Sequence, residues 1–86
     1  MLKIGRLVDG ELVVFVLSGR VADEDLPQLE SLVQVEPQNI VLDLKEVSLV
    51  GREIVKFLAR CEDSGATLRN CPEYVREWVD KERGKK

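Results

Sequence analysis

The side chains of this sequence with chemistry to offer are few, and four of them lie close together. Asp43, Ser48, Arg52 and Glu53 bring an acid, a hydroxyl, a guanidinium and a second acid into one short stretch. Arg52 supplies a planar fork of five donors, the geometry that grips carboxylates and phosphates and recurs at interface hot spots. The alternative for Arg52 and Glu53 is a solvated pair in the first turn of a helix, where the macrodipole favours the carboxylate and slightly disfavours the guanidinium. Asp43 suits a structural task, accepting backbone N–H bonds in the following loop or at the helix start. Ser48 is the one hydroxyl between them.

Catalysis finds little support. The chain has no His to act as base or ligand, and no Gly-rich phosphate loop of the Walker type. Ser18-Gly19 and Ser64-Gly65 have no neighbouring base in sequence that would activate a nucleophile. Asp23 and Asp25 could exchange protons as a pair, but three acids in a row, Asp23-Glu24-Asp25, are the usual composition of a helix start. A non-enzymatic protein is expected. Cys61 and Cys71 are the only cysteines, too few and too far apart for a metal knuckle, so reduced structural thiols are expected, with neither metal nor cofactor.

Composition narrows the partners. The net charge of −3, with acids and bases interspersed, provides no broad basic face for a phosphate backbone, so nucleic acid is not expected as a ligand. No apolar run approaches the ~18 residues of a membrane span, and the N-terminus carries no cleavable leader pattern. A soluble cytoplasmic protein without membrane insertion follows as the expectation. With 44% hydrophobic and 34% charged residues in a chain of 86, the sequence reads as one globular domain over residues 1–83 and a basic tail over 84–86.

The elements that must position Arg52 and its neighbours can be read from periodicity. Residues 2–8 and 12–17 are apolar β-rich runs around Asp9-Gly10-Glu11, a hairpin signal. Ser18-Gly19-Arg20 is expected to end the second strand, and the acidic triplet then opens a helix that tolerates Pro27 in its first turn. Leu26, Leu29, Leu32 and Val33 mark its apolar face until Pro37 forbids continuation. A short buried strand is expected over 40–44, a loop over 45–50, and a helix over 52–63 whose inner face carries Ile54, Phe57, Leu58 and Cys61. Gly65 suits the left-handed cap after that helix. Residues 67–69 read as a polar edge strand, and Pro72 starts a last helix with Val75, Trp78 and Val79 as its apolar stripe. Tyr74 and Trp78, one turn apart, could form an exposed aromatic patch, but the flanking valines place Trp78 in the core.

The order β-β-α-β-α-β-α, with right-handed crossovers, defines an α/β fold built on a mixed four-stranded sheet, its helices mainly on one face. Residues 12–17 are apolar on both faces, so the other face also needs cover. The first strand and last helix provide it, or a second copy does in a homodimer.

In this order and spacing, Leu17-Ser18-Gly19-Arg20-Val21, Val41-Leu42-Asp43-Leu44, Val47-Ser48-Leu49-Val50, Gly65-Ala66-Thr67-Leu68 and Asn70-Cys71-Pro72 resemble the STAS domain, the sulphate-transporter and anti-sigma-factor-antagonist module. Regulatory members of that family carry Asp-Ser-Ser-Gly, the first Ser being the phosphoacceptor of a partner kinase. Nine residues on from Asp43, that position falls on Arg52, preceded by Gly51 where the family has Asp. The phosphoacceptor is thus degenerate at Arg52, and Ser48 lies four residues short of it.

The resemblance implies a bacterial-type interaction module of the anti-sigma factor antagonist kind, regulating a partner without serine phosphorylation at the usual position. Its partner-binding surface would comprise Ser48, Leu49, Val50, Gly51, Arg52 and Glu53. The expected partner is a protein, either a regulatory kinase-like or sigma-regulator protein. The alternative is a small STAS subunit docking on the ATPase of a lipid-transport complex.

Overall fold

A computed structural model describes residues 2–35 and 39–84. Pro37, the expected helix stop, lies outside the described residues, as do Lys85 and Lys86 of the expected tail. Gly84, also assigned to that tail, closes the last helix instead.

The chain opens with β1 (Lys3–Asp9) and β2 (Leu12–Val21), antiparallel around a two-residue turn in which Gly10 takes φ +62°. A positive φ at the first turn position is what glycine supplies and what the twist of a hairpin favours. A 3-10 turn (Asp23–Asp25) leads into α1 (Leu26–Val35), with Leu29 buried and Leu26, Leu32 and Val33 packed at the margin of the core. Then come β3 (Ile40–Val50), α2 (Arg52–Asp63), β4 (Thr67–Arg69) and α3 (Glu73–Gly84). The sheet order is β1-β2-β3-β4, with β2, β3 and β4 mutually parallel. The order and pairing of these elements make a STAS-like mixed α/β sheet, as the sequence implies.

Alternate strand residues and all three helices share one core. Phe15, Leu42 and Leu68 lie abreast on β2, β3 and β4. Phe15 and Leu42 are buried in the cluster with Leu29 of α1, Ile54 and Leu58 of α2, and Val75 and Val79 of α3, and Leu68 packs against it. Val14 and Val41 point to the opposite face, buried but outside that cluster. β1 extends the sheet sideways, and α3 docks on α2 through Arg76, whose fork meets Glu62 at 2.8 and 2.6 Å, rather than on this opposite face. The helix face takes α3 because that is where its valine stripe finds apolar contact.

Two expected boundaries are corrected. Residues 45–50 are the second half of β3 rather than a loop, and β2 runs on through Ser18, Gly19 and Arg20 to Val21 to pair with it. Between Val16↔Asp43 and Val21↔Val50, β3 takes two more residues than β2, one in each of two bulges. Each bulge adds a residue to the phase, so the buried positions Leu44, Val47 and Val50 recur every three residues instead of every two. That spacing hides a strand from an alternation test.

Candidate functional site

The bulges leave backbone groups outside the ladder, and side chains meet them. At the first, the N–H of Lys45 donates to Asp43 Oδ1 at 3.0 Å. Asp43 also receives Nδ2 of Asn70 on both oxygens at 3.3 Å, Asn70 holding a left-handed φ of 54° at the end of β4. Asp43 therefore does the structural work expected of it, fastening the bulge and tying β3 to the chain after β4. At the second bulge, Ser48 has no partner on β2, and its carbonyl accepts the Tyr74 hydroxyl at 2.8 Å. Tyr74 thereby anchors the start of α3 against the far end of β3.

Gly51 then turns the chain into α2. It is the helix N-cap, with extended backbone and no side chain to cap anything. The cap comes from elsewhere: Asp23 Oδ1 accepts the N–H of Glu53 at 2.9 Å, across 30 residues of sequence. Gly51 N–H in turn donates to the Val21 carbonyl at 2.8 Å, which holds the end of β2 against the helix start. A Cβ at Gly51 would stand 2.9 Å from the backbone nitrogen of Asp23, so only glycine leaves room for this approach. Where the STAS pattern places an Asp in the chain at this position, here an Asp from another segment takes over the helix N-terminus. Asp25 has the local task, accepting the Ala22 N–H at 2.9 Å while its own N–H returns to the Ala22 carbonyl at 2.9 Å.

The six residues expected to meet a partner are brought to one end of the sheet but do not share one exposure. Leu49 is 55% exposed, and Ser48, Arg52 and Glu53 are also on the surface. Val50 is not: at 8% exposure its side chain belongs to the core, the second bulge having turned it inward. Gly51 is half-buried beneath Asp23. Glu53 pairs with Lys56 at 3.5 Å, whereas Arg52 makes no ion pair or side-chain hydrogen bond among the described residues. Arg52, without such a contact among the described residues, thus stands beside a helix end already closed by a carboxylate.

Two residues of this region escape the sequence reading. Asp23 could have been suspected because the acidic triplet offers more carboxylates than its own turn needs. Tyr74 was visible only as one half of an aromatic pair, its 46% exposure and its bond to Ser48 being matters of tertiary placement. Trp78, expected in the core, is 36% exposed, because Val75 and Val79 alone fill the inward stripe of α3. Cys61 is buried, which pushes its thiol up to about 11; Cys71, half-buried at the junction of β4 and α3, is raised for the same reason. Among the described residues no group of three His, Cys, Asp or Glu side chains is placed to hold a metal, and no helix is long and apolar enough to cross a membrane.

No family model and no curated protein matches the sequence. Among solved structures, an uncharacterised protein of the DUF3478 family from Shewanella loihica PV-4, described as having a SpoIIAA-like fold, is similar over 91% of this chain and 93% of that one. The two are 12% identical, with a TM-score of 0.45.

Proposed function

We propose that this protein is a non-enzymatic interaction module of the anti-sigma factor antagonist kind. It engages a protein partner at the end of β3 and the start of α2, without serine phosphorylation at the usual position. The observation that carries this reading is the make-up of that surface: Leu49 exposed at the strand end, Arg52 exposed at the helix start with no ion pair among the described residues, and Tyr74 fixed alongside by its bond to Ser48. Aromatic residues and Arg are the anchors enriched in interfaces, and the carboxyl ends of parallel strands are where open α/β sheets bind their ligands. Ser48, Leu49, Arg52 and Glu53 supply the contacts; Val50 and Gly51 shape the backbone beneath them.

The test is affinity for a partner recovered from the source cell, its identity distinguishing a kinase-like or sigma-regulator protein from the ATPase of a lipid-transport complex. Arg52→Ala weakens binding by about 1–2 kcal/mol and leaves the fold intact, since an exposed first-turn Arg adds little stability. Leu68→Ala, which opens a space against the core, lowers stability first. Unchanged affinity in both Arg52→Ala and Glu53→Ala, with hydrogen exchange mapping the contact to the hairpin at 9–11, refutes the placement.

A further inference from the structure

Among the described residues β1 pairs with β2 alone, so one side of its seven-residue backbone carries hydrogen-bonding groups with no strand beside them. The turn at Gly10-Glu11 makes Asp9 and Leu12 the hydrogen-bonded closing pair. Alternation then directs the N–H and C=O groups of Lys3, Gly5, Leu7 and Asp9 toward β2 and those of Ile4, Arg6 and Val8 outward. Such an edge is a template for another strand.

Gly5, near the middle of β1, has no explanation within one copy of the chain. Its φ is not in the left-handed region, and a Cβ there would meet nothing closer than 3.9 Å. A glycine inside a strand weakens it, and in a strand whose register runs unbroken past it, as here, it suits a close approach by another backbone. Beside it, on the helix-free face, Leu7 is 59% exposed; Val8, on the other face, is 62% exposed.

From these features we infer that two copies of this chain pair through β1, antiparallel about a twofold axis at Arg6, joining two four-stranded sheets into one of eight strands. This register engages all seven residues and sets outward-facing residues opposite one another, as an antiparallel ladder requires. Ile4 meets Val8, and Arg6 meets itself, at the wide hydrogen-bonded positions. At the close positions, on the helix-free face, Lys3 meets Asp9 at both ends of the interface and Leu7 lies across Gly5, whose missing side chain leaves it room. A slip that centres the axis on Gly5 sets Lys3 opposite Leu7. A slip to Leu7 sets Asp9 opposite Gly5 and carries Lys3 past the strand's end. Only the Arg6 register forms both charge pairs, and its one like-charge meeting falls at a wide position where long side chains can diverge. The inference does not rest on the function proposed above, since β1 is the opposite edge of the sheet from β4 and contains none of residues 48–53.

Sedimentation equilibrium on the full chain tests it. A monomer–dimer equilibrium is expected; Lys3→Asp and Asp9→Lys each weaken the dimer by about tenfold, and the combined exchange restores it to within about threefold. Both positions are exposed, so far-UV circular dichroism stays unchanged in all three variants. Arg6→Cys reports the register: axis-related Cα atoms about 5.5 Å apart suit a disulfide, so mild oxidation cross-links this variant and not Lys3→Cys. A chain that remains monomeric at several hundred micromolar overturns the inference. So does a dimer indifferent to both charge reversals, or one that cross-links at Lys3→Cys in preference to Arg6→Cys.

Discussion

Asp23→Ala removes the carboxylate that closes α2 from outside its own segment, and the structure sets the size of the effect. The bond from Glu53 N–H is short at 2.9 Å and charge-assisted, yet exposed, so water replaces part of what is lost. Loss of a side-chain N-cap costs about 0.5–2 kcal/mol, and an exposed acceptor places this one near the middle, about 1 kcal/mol. In a domain of 86 residues that lowers Tm by about 4–8 °C. Asp23→Asn keeps an acceptor without the charge and should cost less. Gly51→Ala attacks the same contact from the other side, placing a methyl 2.8 Å from Asp23 Cγ and 2.9 Å from its backbone nitrogen. The side chain can swing away but the backbone cannot, so this variant loses the cap and adds strain, about 2–3 kcal/mol in all. Because Gly51→Ala has already expelled the carboxylate, the double variant should cost about 1 kcal/mol less than the sum of the singles. Urea denaturation of the four proteins, followed by circular dichroism, measures each arm of the cycle. A neutral Asp23→Ala, or additivity within about 0.3 kcal/mol, refutes the assignment of Asp23 as the cap.

Two further outcomes concern α2 and α3. The Arg76 fork, with Arg83 at 3.1 Å, holds the Glu62 carboxyl below its ordinary range; a depressed folded pKa gives stability that is complete above the unfolded value of about 4.3 and lost as pH falls through the folded one. The urea midpoint should therefore drop on acidification below about pH 4.3, and Glu62→Gln should flatten that part of the profile. At pH 8 a disulfide reagent should label half-buried Cys71 first and reach Cys61 only as the protein unfolds, because burial pushes that thiol up to about 11; equal rapid labelling of both would contradict the packing described.

Elements governed by local rules were legible in the sequence. Gly10 in its hairpin turn, the span of α2 and the stop at Gly65 follow from residues adjacent in the chain; at that stop Gly65 N–H reaches the Glu62 carbonyl and Ala66 N–H reaches that of Cys61. The second half of β3 was illegible because its two bulges replace the period of two by one of three, which matches neither strand nor helix. Val50, expected on the surface, lies in the core for the same reason, since a residue's face cannot be assigned once the phase is lost. The junction of β3 and α2, where the site is proposed, could be read from the pattern around Asp43 and Gly51. Its closure by Asp23 could not, because nothing near Gly51 in sequence announces a cap that arrives from the crossover before α1.

That cap also orders events in time. The end of α2 is written into Ser64, Gly65 and Ala66, which a growing chain can use as soon as it has made them, whereas its beginning depends on a residue 30 positions upstream. Closing a loop of that span must come first. The C-terminal turns of α2 can close on their own residues, but the first turn lacks its cap until β2, α1 and β3 have come together and carried Asp23 into place. Its amides should be the last of the helix to gain protection from hydrogen exchange. A partner that reads Arg52 and Glu53 would therefore bind only chains that have finished folding, and recognition would double as an inspection of the product.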